Sequence, residues 1–221
     1  MKKSIYSLVL ADDVVAQIDR MAYAQGTSRS NLINQILAEQ LSLSTPEMRM
    51  KDIFGTMEQM LEETFQVLSP PSDSMLQLRS PLRFKYNPTI RYQVELNREA
   101  SEAVGVLRIS LRSTSRQLLD LLDGFFDLWI KSEQALTAPK LGHPIRYRKE
   151  TGRLSREIYH PANLPAYSGE DVGNAITRYI RLVDSAMKRY FSLADSSRDT
   201  QLSAVSRLLQ EALRDPETII I

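Results

Sequence analysis

Cysteine is missing from the 221 residues, and with it go disulfides, thiolate nucleophiles and cysteine-held zinc. Histidine is nearly missing. His143 and His160 are the only two, each followed by a proline, and neither has a helical carboxylate spacing that would make a metal motif. The eight glycines are never grouped into a phosphate-binding loop. No apolar run approaches the ~20 residues that cross a bilayer, and Met1-Lys2-Lys3 leads into a segment broken by Ser4 and Ser7, not into a signal-peptide core. A surplus of one charge is also lacking, with 28 Lys and Arg against 27 Asp and Glu. Any affinity for nucleic acid must therefore come from local patches and not from an overall basic field. These absences predict a cytoplasmic protein that is not an enzyme, holds no metal or cofactor, and does not enter a membrane.

What is present is a globular composition, 43% hydrophobic and 25% charged, long enough for one large or two small domains. The chain is organised around its first forty-odd residues. Ile5 to Leu10 alternate, with Tyr6, Leu8 and Leu10 on one face and Ile5, Ser7 and Val9 on the other, which predicts a strand over residues 4–10. Asp12 and Asp13 can open a helix whose apolar stripe is Val14, Val15, Ile18, Met21 and Ala22, running to about Gln25. Gly26 stops it. Thr27 or Ser28 can cap a second helix, to about Leu43, striped by Leu32, Ile33, Ile36, Leu37 and Leu41. A lone strand leaves a row of unpaired amides and carbonyls, and two short helices cannot cover their own stripes. A second copy related by a two-fold axis repairs both.

Residues 1–45 resemble the ribbon-helix-helix DNA-binding proteins of the Arc, MetJ and CopG type, through the lysine-led strand Lys2 to Leu10, the capping Asp12-Asp13-Val14 and the hinge Gly26 to Ile33. The resemblance implies a homodimer whose paired strands enter the major groove of double-stranded DNA. It implies that Ile5, Ser7 and Val9 face the bases, that Lys2, Lys3, Thr27, Ser28 and Arg29 bind phosphates, and that Tyr6, Leu8 and Leu10 are core. Of the base-facing residues only Ser7 can hydrogen-bond to a base edge; Ile5 and Val9 can pack on thymine methyls.

The remainder predicts an α+β protein. Ile53, Met57, Met60, Leu61, Phe65 and Leu68 mark a connecting helix over 46–68, and Ser69 to Ser74 has the composition of a linker, so that residues 46–74 join the module to a C-terminal domain of residues 75–221. That domain is predicted to be an antiparallel sheet with long amphipathic helices. Its strands are read at 82–86, 90–97 and 107–111, with a second hairpin at 145–149 and 153–159. Its helices are read at 114–136, 168–193 and 198–214. The helix 114–136 is apolar on two faces, leaving Asp120, Asp123 and Asp127 as its wet edge, and Trp129 should be buried. The second hairpin is the most basic part of the chain. Arg146, Arg148, Lys149, Arg153 and Arg156 suit a second nucleic-acid surface, or equally a solvated hairpin protected from edge pairing.

The function expected from all this is a sequence-specific transcriptional regulator, a repressor, acting as a homodimer or higher oligomer on double-stranded DNA, with a C-terminal domain that binds a protein partner or a small ligand. The alternatives are an antitoxin, a plasmid-partition or DNA-transfer accessory protein, or an interaction scaffold that keeps the N-terminal fold only to dimerise.

Overall fold

Asp12 and Asp13 place two negative charges in the first turn of α1 (Asp12–Ala24), where they suit the positive end of the helix. Gly26 ends the turn that follows with φ 61°, a conformation glycine adopts without strain. Ser28 then accepts a 3.2 Å hydrogen bond from the Asn31 amide and caps α2 (Arg29–Gln40). Ile18, Ala22 and Leu32 are buried together, flanked by Met21, Ile33 and Ile36. These helices belong to the first of two compact units, Met1–Arg49; the second is Met50–Ile221, and the division falls within α3 (Pro46–Leu61). The computed structural model describes residues 5–41, 43, 45–61, 64–72, 74–85, 87–99 and 101–221. Of the strand expected over residues 4–10, residues 5–10 have no regular structure in the single chain, and Ser4 lies outside the described residues. A strand exists through a partner's amides and carbonyls, and this unit supplies none.

The second unit is built on a six-stranded antiparallel sheet in the order β1-β2-β3-β4-β6-β5. The strands are β1 (Gln66–Ser72), β2 (Met75–Pro81), β3 (Thr89–Leu96), β4 (Ala103–Ser110), β5 (Tyr147–Glu150) and β6 (Arg153–Tyr159). Leu76, Leu78, Tyr92, Val94, Leu107, Ile109, Leu154 and Ile158 fill its inner face. Across them lie α4 (Arg116–Leu136) and α6 (Gly169–Ser192), with α7 (Arg198–Arg214) packed on both and the short α5 (Ala138–Leu141) following α4. Trp129, Phe125, Ile176 and Met187 are fully buried between them, and Met57 and Leu61 of α3 join the same core. Gly105 permits the closest approach in the sheet. A Cβ there would stand 2.2 Å from the Glu95 carbonyl oxygen, so no larger residue fits without moving backbone.

Three expectations need correction. Residues 46–74 do not form a connector ahead of the C-terminal domain, because α3 ends at Leu61 and 66–72 is strand β1 of the main sheet. The prolines misled: Pro70 and Pro71 are tolerated because β1 is an edge strand whose pairing is interrupted between Leu68 and Ser72. The strand expected at 82–86 is instead the turn after β2, where the Leu82 amide donates to the Pro88 carbonyl and Asn87 takes φ 44°; Tyr86 lies outside the described residues. The strand itself is one step earlier, at 75–81. The C-terminal unit therefore begins near residue 50, and a fragment starting at 75 would lack an edge strand and the buried Met57 and Leu61.

Candidate nucleic-acid interfaces

In the N-terminal unit, Ile5 and Val9 are fully exposed. Tyr6, Leu8 and Leu10, expected as core, are exposed as well, at 86%, 51% and 38%. Thr27 and Ser28 sit at the start of α2, where the Thr27 hydroxyl accepts a 2.9 Å hydrogen bond from Asn31 Nδ2 and Ser28 provides the cap. Arg29 is already engaged: its Nη2 donates to Asp19 Oδ2 at 2.6 Å. Lys2 and Lys3 lie outside the described residues.

The basic hairpin β5–β6 divides by strand parity. Arg146, Arg148 and Arg153 are exposed on the outer face of the sheet, whereas Arg156 falls on the inner face between Leu154 and Ile158 and is buried. Lys149 pairs with Asp127 of α4 at 2.5 Å. Arg156 is thus not part of a surface array, a correction that parity alone could have supplied, since Leu154, Arg156 and Ile158 stand two apart; Lys149 is exposed but on the opposite face of the hairpin from Arg146, Arg148 and Arg153.

Arg156 lies in a closed polar cluster. Its Nε and Nη2 donate to Glu133 Oε1 at 3.1 and 2.8 Å, its Nη1 donates to the Glu157 carbonyl, and its guanidinium lies 4.5 Å over the Tyr179 ring. Glu133 Oε2 accepts from Trp129 Nε1 at 2.9 Å, Tyr147 at 2.6 Å and Tyr179 at 2.9 Å. Burial works against the charge on Arg156, but Glu133, Tyr179 and Tyr147 outweigh it and hold the guanidinium above its ordinary range. The adjoining cavity, walled by Leu182, Leu209, Leu213 and Ile219, measures about 70 Å³. This is far below the ~300 Å³ of an ordinary small-ligand pocket.

Three buried or half-buried tyrosines make an alkaline prediction. Burial, then the neighbouring carboxylate, raises Tyr92 beside Asp184 and raises both Tyr147 and Tyr179 beside Glu133. The folded chain keeps these protons where the unfolded chain releases them, near pH 10. Stability is therefore complete below about pH 10 and falls above it, by about 1.4 kcal/mol per pH unit for each tyrosine. Urea midpoints measured at pH 9, 10 and 11 should drop steeply over the last interval; a flat profile would contradict the cluster.

The outer face of the sheet is the larger finding. Cross-strand register places its side chains in ranks: Gln66, Arg79, Arg91, Ser110, Arg153 and Glu150 in one, Leu68, Gln77, Gln93, Arg108, Ser155 and Arg148 in the next. These two ranks carry five arginines against one glutamate. Arg148 and Arg153 share Glu150, at 2.9 and 3.3 Å. The third rank, with Met75, Glu95, Val106 and Glu157, holds the acids, and Arg146 pairs there with Glu157 at 3.6 Å. Arg79, Arg91 and Arg108 were missed by the sequence reading. Each was visible as the outward member of an alternating strand, but their adjacency depends on register, which one strand's pattern does not contain.

No helix among the described residues is long and apolar enough to cross a membrane. Set against models of known families, curated proteins and solved structures, the chain matches none of them.

Proposed function

We propose that the chain is a DNA-binding transcriptional regulator, a cytoplasmic repressor, that acts as a homodimer through a two-stranded ribbon formed by residues 4–10 of each copy. One observation carries this reading. Of the eleven large hydrophobic side chains exposed among the described residues, ten fall within residues 5–43, from Ile5 to Leu43, and only Tyr167 lies elsewhere. Apolar surface gathered in one small unit favours a partner, since burying it stabilises association at roughly 25 cal/mol per Å². A second copy covers Tyr6, Leu8 and Leu10 and supplies the missing strand, leaving Ile5, Ser7 and Val9 outward.

The Arg29–Asp19 pair sharpens the test, because on DNA Arg29 would exchange this carboxylate for a phosphate. Arg29→Ala should weaken binding to operator and random duplex alike and lower the salt slope by about 1. Asp19→Asn should strengthen both. Ser7→Ala should act on the operator alone, costing about 1 kcal/mol. The measurement is a salt titration on both DNAs, with the operator sought in the DNA upstream of the protein's own gene. If none of the three changes alters binding, the scaffold reading replaces this one; it is favoured by the occupied Arg29 and by the two apolar residues among the three outward ones.

A further inference from the structure

Arg79 and Arg91 stand directly opposite each other on neighbouring central strands, where like charges ~5 Å apart destabilise a sheet. Glu150 in the same rank is taken up by Arg148 and Arg153, and none of Arg79, Arg91, Arg108 and Arg112 makes an ion pair among the described residues. Arg79 Nε is moreover buried without a hydrogen-bond acceptor, a position that folding alone leaves at a cost. Arg91, Arg108, Arg112 and Arg153, with Gln77 and a single acid, Glu150, line a groove of about 420 Å³ along this face. The opposed and unpaired guanidinium charges are unfavourable for the isolated fold, and oxyanions on this face relieve them.

We infer that this outer sheet face binds the sugar-phosphate backbone of double-stranded DNA without reading sequence. Guanidinium forks match phosphate oxygens two at a time, and neighbouring Gln and Ser side chains add donors of the kind that contact backbones. Duplex is favoured over single strands because no aromatic side chain stands in the three ranks, and single-strand platforms depend on stacking bases. The choice of DNA over other polyanions rests on the regulator reading. The acids collected in the third rank bound the site on one side, so the DNA tracks the two arginine ranks.

The experiment uses the full chain, a random-sequence duplex and a salt series read by fluorescence anisotropy. Arg91→Gln with Arg108→Gln should lower the salt slope by about 2, with Trp129 emission unchanged as a check on folding. Val9→Glu, which puts a carboxylate on the base-facing side of the proposed ribbon without breaking the dimer, should remove operator preference yet leave duplex binding with the same dependence on Arg91 and Arg108. If the paired arginine variant leaves the slope unchanged, or Val9→Glu abolishes all duplex binding, the inference fails while the ribbon reading stands. If the arginine variant acts as expected and Val9→Glu changes nothing, the sheet face is the DNA surface and the ribbon reading fails. Tighter binding to poly-glutamate or to single-stranded DNA than to duplex would also overturn the assignment.

Discussion

Glu133→Ala is expected to lower the urea midpoint of the C-terminal unit sharply at neutral pH. It leaves the Arg156 guanidinium buried without the Glu133 carboxylate and takes the carboxylate acceptor from Tyr147 and Tyr179, while Trp129 Nε1 keeps only the Tyr179 hydroxyl at 3.0 Å. Removing one partner of a buried pair costs about 3–5 kcal/mol, against a total of about 5–15 kcal/mol for a typical domain. Arg156→Met combined with Glu133→Gln should be milder, because the charge leaves with its partner and the amide oxygen still accepts from the ring donors. Trp129 is the only tryptophan and lies inside the cluster, so urea unfolding followed by its fluorescence reports the event directly. A Glu133→Ala midpoint within ~1 kcal/mol of wild type would show that the cluster is not needed for stability.

Leu8→Glu should separate association from folding. In the proposed ribbon Leu8 faces the helices of both copies, and a carboxylate buried there without a partner costs several kcal/mol. The dimer should be lost in sedimentation, and operator binding with it, while Trp129 emission stays the same. Val9→Glu, one residue on and on the opposite face, should leave the dimer intact. A Leu8→Glu protein that sediments as wild type would sink the ribbon architecture.

The parts of the fold that were legible in advance are those where a single strand or helix declares itself. Ile90-Tyr92-Val94-Leu96 alternates without a break and is β3; the stripe through Leu118, Leu122, Phe125 and Trp129 is α4. Where chemistry gives two signals the reading went astray. Ser69-Pro70-Pro71-Ser72 has linker composition, yet its backbone completes an edge strand, because prolines exclude a segment only from the middle of a sheet. Leu82-Arg83-Phe84 alternates as a strand does, but Asn87 and Pro88 bend it into a turn. The arginine face was hidden for a different reason. Arg79, Arg91 and Arg108 are spread over thirty positions, and only the ladders of β2, β3 and β4 bring them together. The inward turn of Arg156 is legible in its parity with Leu154 and Ile158, but its partner is not: the place of Glu133 opposite it is set by how α4 crosses the sheet.

The two ends of the sheet carry a consequence for a dimer. Tethering two C-terminal units through their N-terminal partners raises each one's effective concentration around the other to the millimolar range, where open sheet edges would tend to fuse. Here one edge, β1, has two consecutive residues with no amide hydrogen to offer, and the other, β5, is only four residues long. Both are poor templates for a further strand. In the proposed dimer, paired copies would therefore be held close with little tendency to fuse, each sheet keeping its arginine face open.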